Sequence, residues 1–245
     1  MSGASSGAGT TVPVTAGKTY VVAGSRPWNH PIFKDLLAPL PGEWHFVGGR
    51  DELTLDLLER LSPRYVFFLH WSWIMPRDIV EQFECVGFHM TDLPYGRGGS
   101  PLQNLILRGH RDTKLTAFRL VEEPDAGPVY LKEELSLEGG AEEIYVRACE
   151  LAARMARVIA EREPPAQEQA GQPTVFERRK PAESRIEGQV TLRELYDFIR
   201  MLDAESYPHA FLEHDGFRYE FTGAALYDGR IEADVTITRK EGSTG

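Results

Sequence analysis

Arg64–Leu69 reads RYVFFL, five apolar or aromatic residues in succession after one arginine. A run this short, without polar alternation, suits a strand covered on both faces. Covered strands belong to parallel sheets flanked by helices, so this hexapeptide decides the fold class. Upstream, Lys18–Ser25 (KTYVVAGS) has a β-branched core ending in glycine, a buried strand leading into a turn. Pro31–Leu40 puts Ile32, Phe33, Leu36 and Leu37 on one helical face, and Glu43–Val47 follows as a second strand. Glu52–Leu61 carries leucines at 53, 55, 57, 58 and 61 and reads as a helix. Downstream, Pro76 suits the first turn of a helix running to about Phe83, and Cys85–Phe88 is a fourth strand.

Thr113–Val121 and Pro128–Leu137 read as strands either side of an acidic turn, Glu122–Gly127. Ala141–Ala160 is a long helix with Ile144, Ala148, Leu151, Met155 and Ile159 on one face and a solvated charged face opposite. Glu161–Pro173 (EREPPAQEQAGQP) is polar and rich in Pro and Gln, the composition of a linker. Thr191 followed by Glu194 is a capping-box pattern opening a helix to about Leu202. Ala210–His214, Phe217–Ala225 and Ile231–Thr238 are then short strands, with hairpin turns at Asp215-Gly216 and Asp228-Gly229. The expected organisation is a tail over 1–17, an α/β domain over 18–160, a linker over 161–186 and a small C-terminal α+β subdomain over 187–245. The sheet of the main domain is expected to be Rossmann-like and mostly parallel, with helices on both faces.

The chain has 245 residues, 27 Lys and Arg against 37 Asp and Glu, and a formal charge of −10. Hydrophobic residues at 42% argue against wholesale disorder, and the net charge argues against gripping nucleic acid over a broad surface. Two cysteines, Cys85 and Cys149, are too few for a disulfide framework and sit in apolar stretches, as small buried hydrophobes of a reducing compartment do. Residues 1–17 carry one lysine-free, Gly- and Ser-rich stretch before Lys18, unlike a signal peptide, and no apolar run reaches the roughly 18 residues of a membrane span. A cytoplasmic protein without membrane or nucleic-acid partners is expected.

Ligands bind beyond the carboxyl ends of strands in an open α/β sheet. Three segments there are richer in polar and aromatic residues than turns require: Gly24–His30 (GSRPWNH), His70–Pro76 (HWSWIMP) and His89–Pro101 (HMTDLPYGRGGSP). Asp125 joins them if the acidic turn folds back to the same edge.

His89-x-x-x-x-Pro94 with Arg97-Gly98-Gly99 and Pro101 resembles the HxSxLPxYRGxxP signature of the 10-formyltetrahydrofolate-dependent formyltransferases. Asp125-Ala126-Gly127-Pro128 is similar to that family's second signature, and the stretch Phe198–Asp203 with Tyr207-Pro208-x-Ala210-Phe211 resembles the start of the C-terminal region of sugar N-formyltransferases. The resemblance implies His89 and Asp125 as catalytic residues and 10-formyltetrahydrofolate as co-substrate, with no metal. An imidazole can hydrogen-bond the oxyanion of a tetrahedral intermediate or help move the amine proton, and a carboxylate can accept that proton. The resemblance also implies a folate site formed by Trp71, Trp73 and Ile74, the loop of Arg97, Gly98 and Gly99, and the turn of Val121 and Glu122. On the acceptor side it points to Arg26, Trp28, Asn29, Thr91, Arg200 and Tyr207.

One departure stands out. The family places an Asn two residues before the His, and this chain has Gly87 there. Asn104 is one candidate replacement, a backbone N–H or water a second, and loss of activity with folate binding retained a third. The expected reaction is formylation of a nucleotide-linked amino sugar. A small amine or hydroxylamine is the alternative acceptor, beside the silent folate binder. The acidity and short C-terminal region count against methionyl-tRNA. A homodimer is common among sugar N-formyltransferases, but no interface is legible here.

Overall fold

In a computed structural model describing residues 17–71, 73–205 and 207–240, strands and helices alternate through the first half. They are β1 (Thr19–Ala23), α1 (Asn29–Leu36), β2 (Glu43–Val47), α2 (Leu55–Leu61), β3 (Tyr65–Phe68), α3 (Arg77–Gln82) and β4 (Cys85–His89). There follow β5 (Arg97–Gly98), α4 (Pro101–Leu107), β6 (Asp112–Arg119), β7 (Val129–Ser136) and α5 (Ala141–Arg162). The six-stranded sheet has the order β2-β1-β3-β4-β6-β7, parallel through β4 and antiparallel at β6 and β7. This is the mostly parallel α/β sheet expected. The 1–17 tail lies, except for Gly17, outside the described residues.

The central strands are apolar because both faces are covered. Tyr20, Val22, Tyr65 and Phe67 point into one core with α1, α4 and α5, while Val21, Ala23, Val66 and Phe68 point into another with α2 and α3. Alternate residues serve opposite faces, and neither face meets water. Local chemistry trims the helix ends. Thr54 accepts from the Leu57 N–H at 3.2 Å, so α2 opens at Leu55 rather than at Glu52. Pro39 disfavours helical backbone at Ala38, and α1 ends at Leu36 rather than Leu40.

Beyond α5 lie β8 (Val175–Phe176), α6 (Leu192–Arg200), β9 (Ala210–His214), β10 (Phe217–Tyr227) and β11 (Arg230–Arg239), the last three forming an antiparallel sheet. Thr191 caps α6 and Glu194 reaches back to the Thr191 N–H at 3.0 Å, the expected capping box. Phe198, Ile199, Met201 and Leu202 are buried in the same core as α5, so the C-terminal unit shares the main interior.

The 161–186 stretch is not a free tether. β8 pairs with β5, and Phe176 is 2% exposed. Gln167 exchanges two backbone hydrogen bonds with Val129 at 2.7 and 2.8 Å. This strap is polar in sequence because it lies on the surface, yet one aromatic plug fixes it. Among the described residues no helix is long and apolar enough to cross a membrane.

Candidate active site

A cavity of about 790 Å³ opens where β1, β3 and β4 end, the sheet edge the topology singles out. Arg26 lines it from the turn after β1, His70 and Trp71 from the turn after β3, and Gly87 to Met90 from the end of β4. Asp125 enters from the acidic turn between β6 and β7.

His89 and Asp125 meet there. His89 is buried, and its Nε2 lies 2.7 Å from the Gly96 carbonyl oxygen. A carbonyl only accepts, so Nε2 carries a hydrogen and Nδ1 is the ring nitrogen left to face the cavity side. Nδ1 faces Asp125 Oδ1 at 3.6 Å. The other oxygen, Oδ2, accepts from the Gly98 N–H at 2.8 Å. Asp125, His70 and Ser100 all line the cavity with left-handed backbone, at φ +56°, +53° and +49°. Such conformations cost of order 1–3 kcal/mol each in non-glycine residues and cluster where a site over-determines them.

On one side Trp71, Trp73, Ile74, Val121 and Glu122 line the cavity, as expected of a slot for a flat apolar ring. Trp71 and Trp73 meet edge-on with centroids 4.8 Å apart, and Glu122 pairs with Arg77 at 3.5 Å. Arg97, Gly98 and Gly99, expected at the folate site, do not line the cavity. Arg97 donates to Gln169 Oε1 at 2.8 and 3.1 Å and to Glu123 at 3.3 Å. The two glycines make room for the strap: a Cβ would stand 2.4 Å from the Phe176 carbonyl oxygen at Gly98, and 2.5 Å from Arg178 Cβ at Gly99.

On the other side Arg26 and Tyr207 line the cavity as expected, with the Tyr207 hydroxyl 3.0 Å from Ser100 Oγ. Trp28, Asn29, Thr91 and Arg200 do not line it. Trp28 packs against His70 and Tyr145. Asn29 is fully buried, accepting from the Arg26 N–H at 2.6 Å and donating to Cys149 Sγ at 3.1 Å. Thr91 is also fully buried, its carbonyl accepting from Thr116 Oγ1 at 2.6 Å. Arg200 pairs with Asp197 within α6 and clamps the helix to the main domain through the carbonyls of Leu137 and Gly139.

Asn104, the expected replacement for the missing amide, likewise does not line the cavity. Its Nδ2 faces the carbonyls of Gly99, Ser100 and Glu177 at 3.1–3.2 Å, and its Oδ1 accepts from Arg108 at 2.8 Å. The space beside Gly87 is occupied by side chains. A Cβ there would stand 2.7 Å from Leu120 Cδ2 and 3.0 Å from Phe118 Cε1, so two β6-side hydrophobes fill the volume of a side chain.

Three groups on this wall have titrations displaced by burial. The Tyr145 hydroxyl and the Cys149 thiol are pushed up to about 12, so neither is an anionic nucleophile near neutrality. Burial, aided by the Arg26 charge, pushes the His70 imidazole down to about 4. The unfolded chain then binds a proton between pH about 6.5 and 4 that the folded chain refuses. His70 therefore contributes no penalty at pH 7 and an increasing one as pH falls through that window, roughly 3 kcal/mol in all. Urea denaturation at pH 7.0 and 4.5 should show a smaller loss of stability for His70→Gln than for wild type; equal losses would refute it.

The sequence reading missed Arg178, Arg179 and Lys180, which the strap brings to the cavity wall, together with Gln103, Tyr145 and Ala148. Three consecutive cations in an acidic chain were a usable signal. The small residues of α5 were not, because alanines in a helix read first as packing.

A solved structure, methionyl-tRNA formyltransferase from Clostridium thermocellum, is 41% identical and superposes with a TM-score of 0.88 over 91% of this chain and 99% of that one. The chain belongs to the formyltransferase family. Residues 181–238 of the chain match the family model for the methionyl-tRNA formyltransferase C-terminal domain. The methionyl-tRNA formyltransferase of Rickettsia prowazekii is 32% identical over 91 residues, 36% of this chain and 30% of that protein. The chain thus spans about a third of the length of the curated relatives it matches first. HypX from Aquifex aeolicus, solved in complex with tetrahydrofolic acid, shares the fold at 16% identity, with a TM-score of 0.67 over 83% of this chain and 37% of that one.

Proposed function

We propose that this formyltransferase moves the formyl group of 10-formyltetrahydrofolate to the primary amine of a small phosphate-bearing acceptor, a nucleotide-linked amino sugar. The observation that carries the chemistry is the His89–Asp125 pair in the cavity wall, with the imidazole orientation fixed by Gly96. The amine nitrogen attacks the formyl carbon and the carbonyl electron pair moves onto oxygen, where a protonated His89 Nδ1 can hydrogen-bond it. Asp125 accepts the proton leaving the amine as the new C–N bond forms. Collapse then breaks the bond to N10 of the folate, which takes that proton and leaves as tetrahydrofolate. Trp71, Trp73 and Ile74 wall the side that suits the pterin.

The charge distribution supports a small anionic acceptor. Arg178 and Lys180 line the cavity and make no ion pair among the described residues. The C-terminal unit, residues 187–245, holds six Lys and Arg against twelve Asp and Glu. Three of its cations are paired: Arg218 with Glu220, Arg230 with Glu232 and Lys240 with Glu213. Such a surface repels a polyanion, while three cations at one cavity suit one or two phosphates. The names of the Clostridium and Rickettsia relatives favour a second reading, methionyl-tRNA as acceptor.

The test is turnover with 10-formyltetrahydrofolate and a panel of nucleotide-linked amino sugars, small amines, hydroxylamines and methionyl-tRNA. Turnover confined to methionyl-tRNA would replace the sugar reading. Folate binding without turnover on any amine would leave a silent relative. With a sugar nucleotide, Arg178→Ala/Lys180→Ala is expected to raise the acceptor KM about tenfold and leave the folate KM unchanged, the difference shrinking at high salt.

A further inference from the structure

We propose that Gln169, in the strap between the two units, is a positioning residue that holds the Asp125 carboxylate opposite His89; its catalytic meaning rests on the formyl-transfer reading above. The Gln169 side chain spends its hydrogen-bonding capacity on the loops that carry the reacting pair. Its Nε2 lies 2.8 Å from the Asp125 carbonyl oxygen and 2.8 Å from that of Gly127. Its Oε1 accepts from Arg97 Nε at 3.1 Å and from Nη2 at 2.8 Å. The next residue, Gly98, donates its N–H to Asp125 Oδ2 at 2.8 Å. The contacts close a ring: Gln169 to Arg97, along the chain to Gly98, across to the Asp125 carboxylate, and through the Asp125 carbonyl back to Gln169.

This ring acts where the backbone is least settled by itself. Asp125 is left-handed at φ +56°, and two carbonyls two residues apart converge on one amide nitrogen. There is no slack on the far side, since a Cβ at Gly127 would stand 1.8 Å from the Arg119 carbonyl oxygen. The same 96–98 segment orients His89, through Gly96, so both members of the pair hang on one loop and Gln169 ties the second to it. Gln169 is itself held, because its neighbour Gln167 exchanges two backbone hydrogen bonds with Val129. The chemistry tolerates little error: a displacement of about 1 Å can cost on the order of a hundredfold in rate.

The experiment compares wild type, Gln169→Ala and Gln169→Glu by three readouts: kcat with the best acceptor, the KM for 10-formyltetrahydrofolate, and amide exchange of Gly98 by NMR. Glutamate keeps the acceptor for Arg97 but turns a carboxylate toward two carbonyls, so it separates placement of Asp125 from anchoring of the strap. Both variants are expected to lose about 10- to 100-fold in kcat with the folate KM within about twofold, and to exchange the Gly98 amide faster. Unchanged Gly98 exchange in both variants overturns the proposal whatever the activity. So does a loss confined to KM, or to thermal stability with kcat intact in the folded fraction. If wild type formylates no amine while Gly98 exchange still depends on Gln169, the placement stands and the formyl-transfer reading is what fails.

Discussion

Formyl transfer by Asp125→Asn is expected to fall about 10²- to 10⁴-fold, with tetrahydrofolate binding and folding intact. The substitution is nearly isosteric. An Asn oxygen can still accept from the Gly98 N–H, which now meets Oδ2 at 2.8 Å, so the turn keeps its anchor. What disappears is the negative charge 3.6 Å from His89 Nδ1 and the ability to take a proton from the attacking amine. Without that acceptor the amine stays cationic in the intermediate, which reverts more easily than it proceeds. Steady-state rates and calorimetric folate binding on the same preparation check this. Turnover within a factor of three of wild type would remove Asp125 from the mechanism.

Phe176→Ala should cost about 3–5 kcal/mol of stability, the usual range for emptying a buried phenylalanine site. The ring is 2% exposed, meets Tyr95 edge-on with centroids 5.3 Å apart, and lies under the Arg108 guanidinium at 4.5 Å. Its backbone carbonyl accepts from the Gly99 N–H at 3.0 Å, so losing the plug loosens the loop that carries Gly96 and Gly98. For a chain of this size the melting temperature should drop by roughly 6–20 °C. Activity should fall at temperatures well below that midpoint, because the strap detaches before the sheet unfolds. Calorimetry and a temperature series of rates distinguish the two events. A shift under about 2 °C would mean that the strap is docked by something other than this side chain.

Much of the architecture was legible, and particular residues show why. RYVFFL is apolar without alternation because Tyr65 and Phe67 face one core while Val66 and Phe68 face the other. Thr191 with Glu194 announced α6 because a capping box is local chemistry. His89, Asp125, Trp71, Trp73 and Tyr207 reach the cavity as expected, since each lies near a strand end or within a loop of distinctive composition. Four expected site residues do not line the cavity for a shared reason. Asn104, Thr91, Asn29 and Arg200 are polar residues whose side chains hydrogen-bond to backbone. Proximity along the chain does not say which way a polar group points.

The strap was the hardest segment to read. EREPPAQEQAGQP has the composition of a linker, and nothing in those residues states that Gln169 would meet Asp125, 44 positions earlier. Local periodicity, capping and motif spacing sufficed for the strand and helix order, the sheet edge at which the cavity opens, and the two residues, His89 and Asp125, that meet in its wall. Folding alone brings out that Gly98 and Gly99 make room for the strap, that Phe118 and Leu120 fill the space beside Gly87, and that Arg178 to Lys180 line the cavity. Those outcomes depend on which surfaces come within a few ångströms of one another after folding, and that is a property of packing between distant segments.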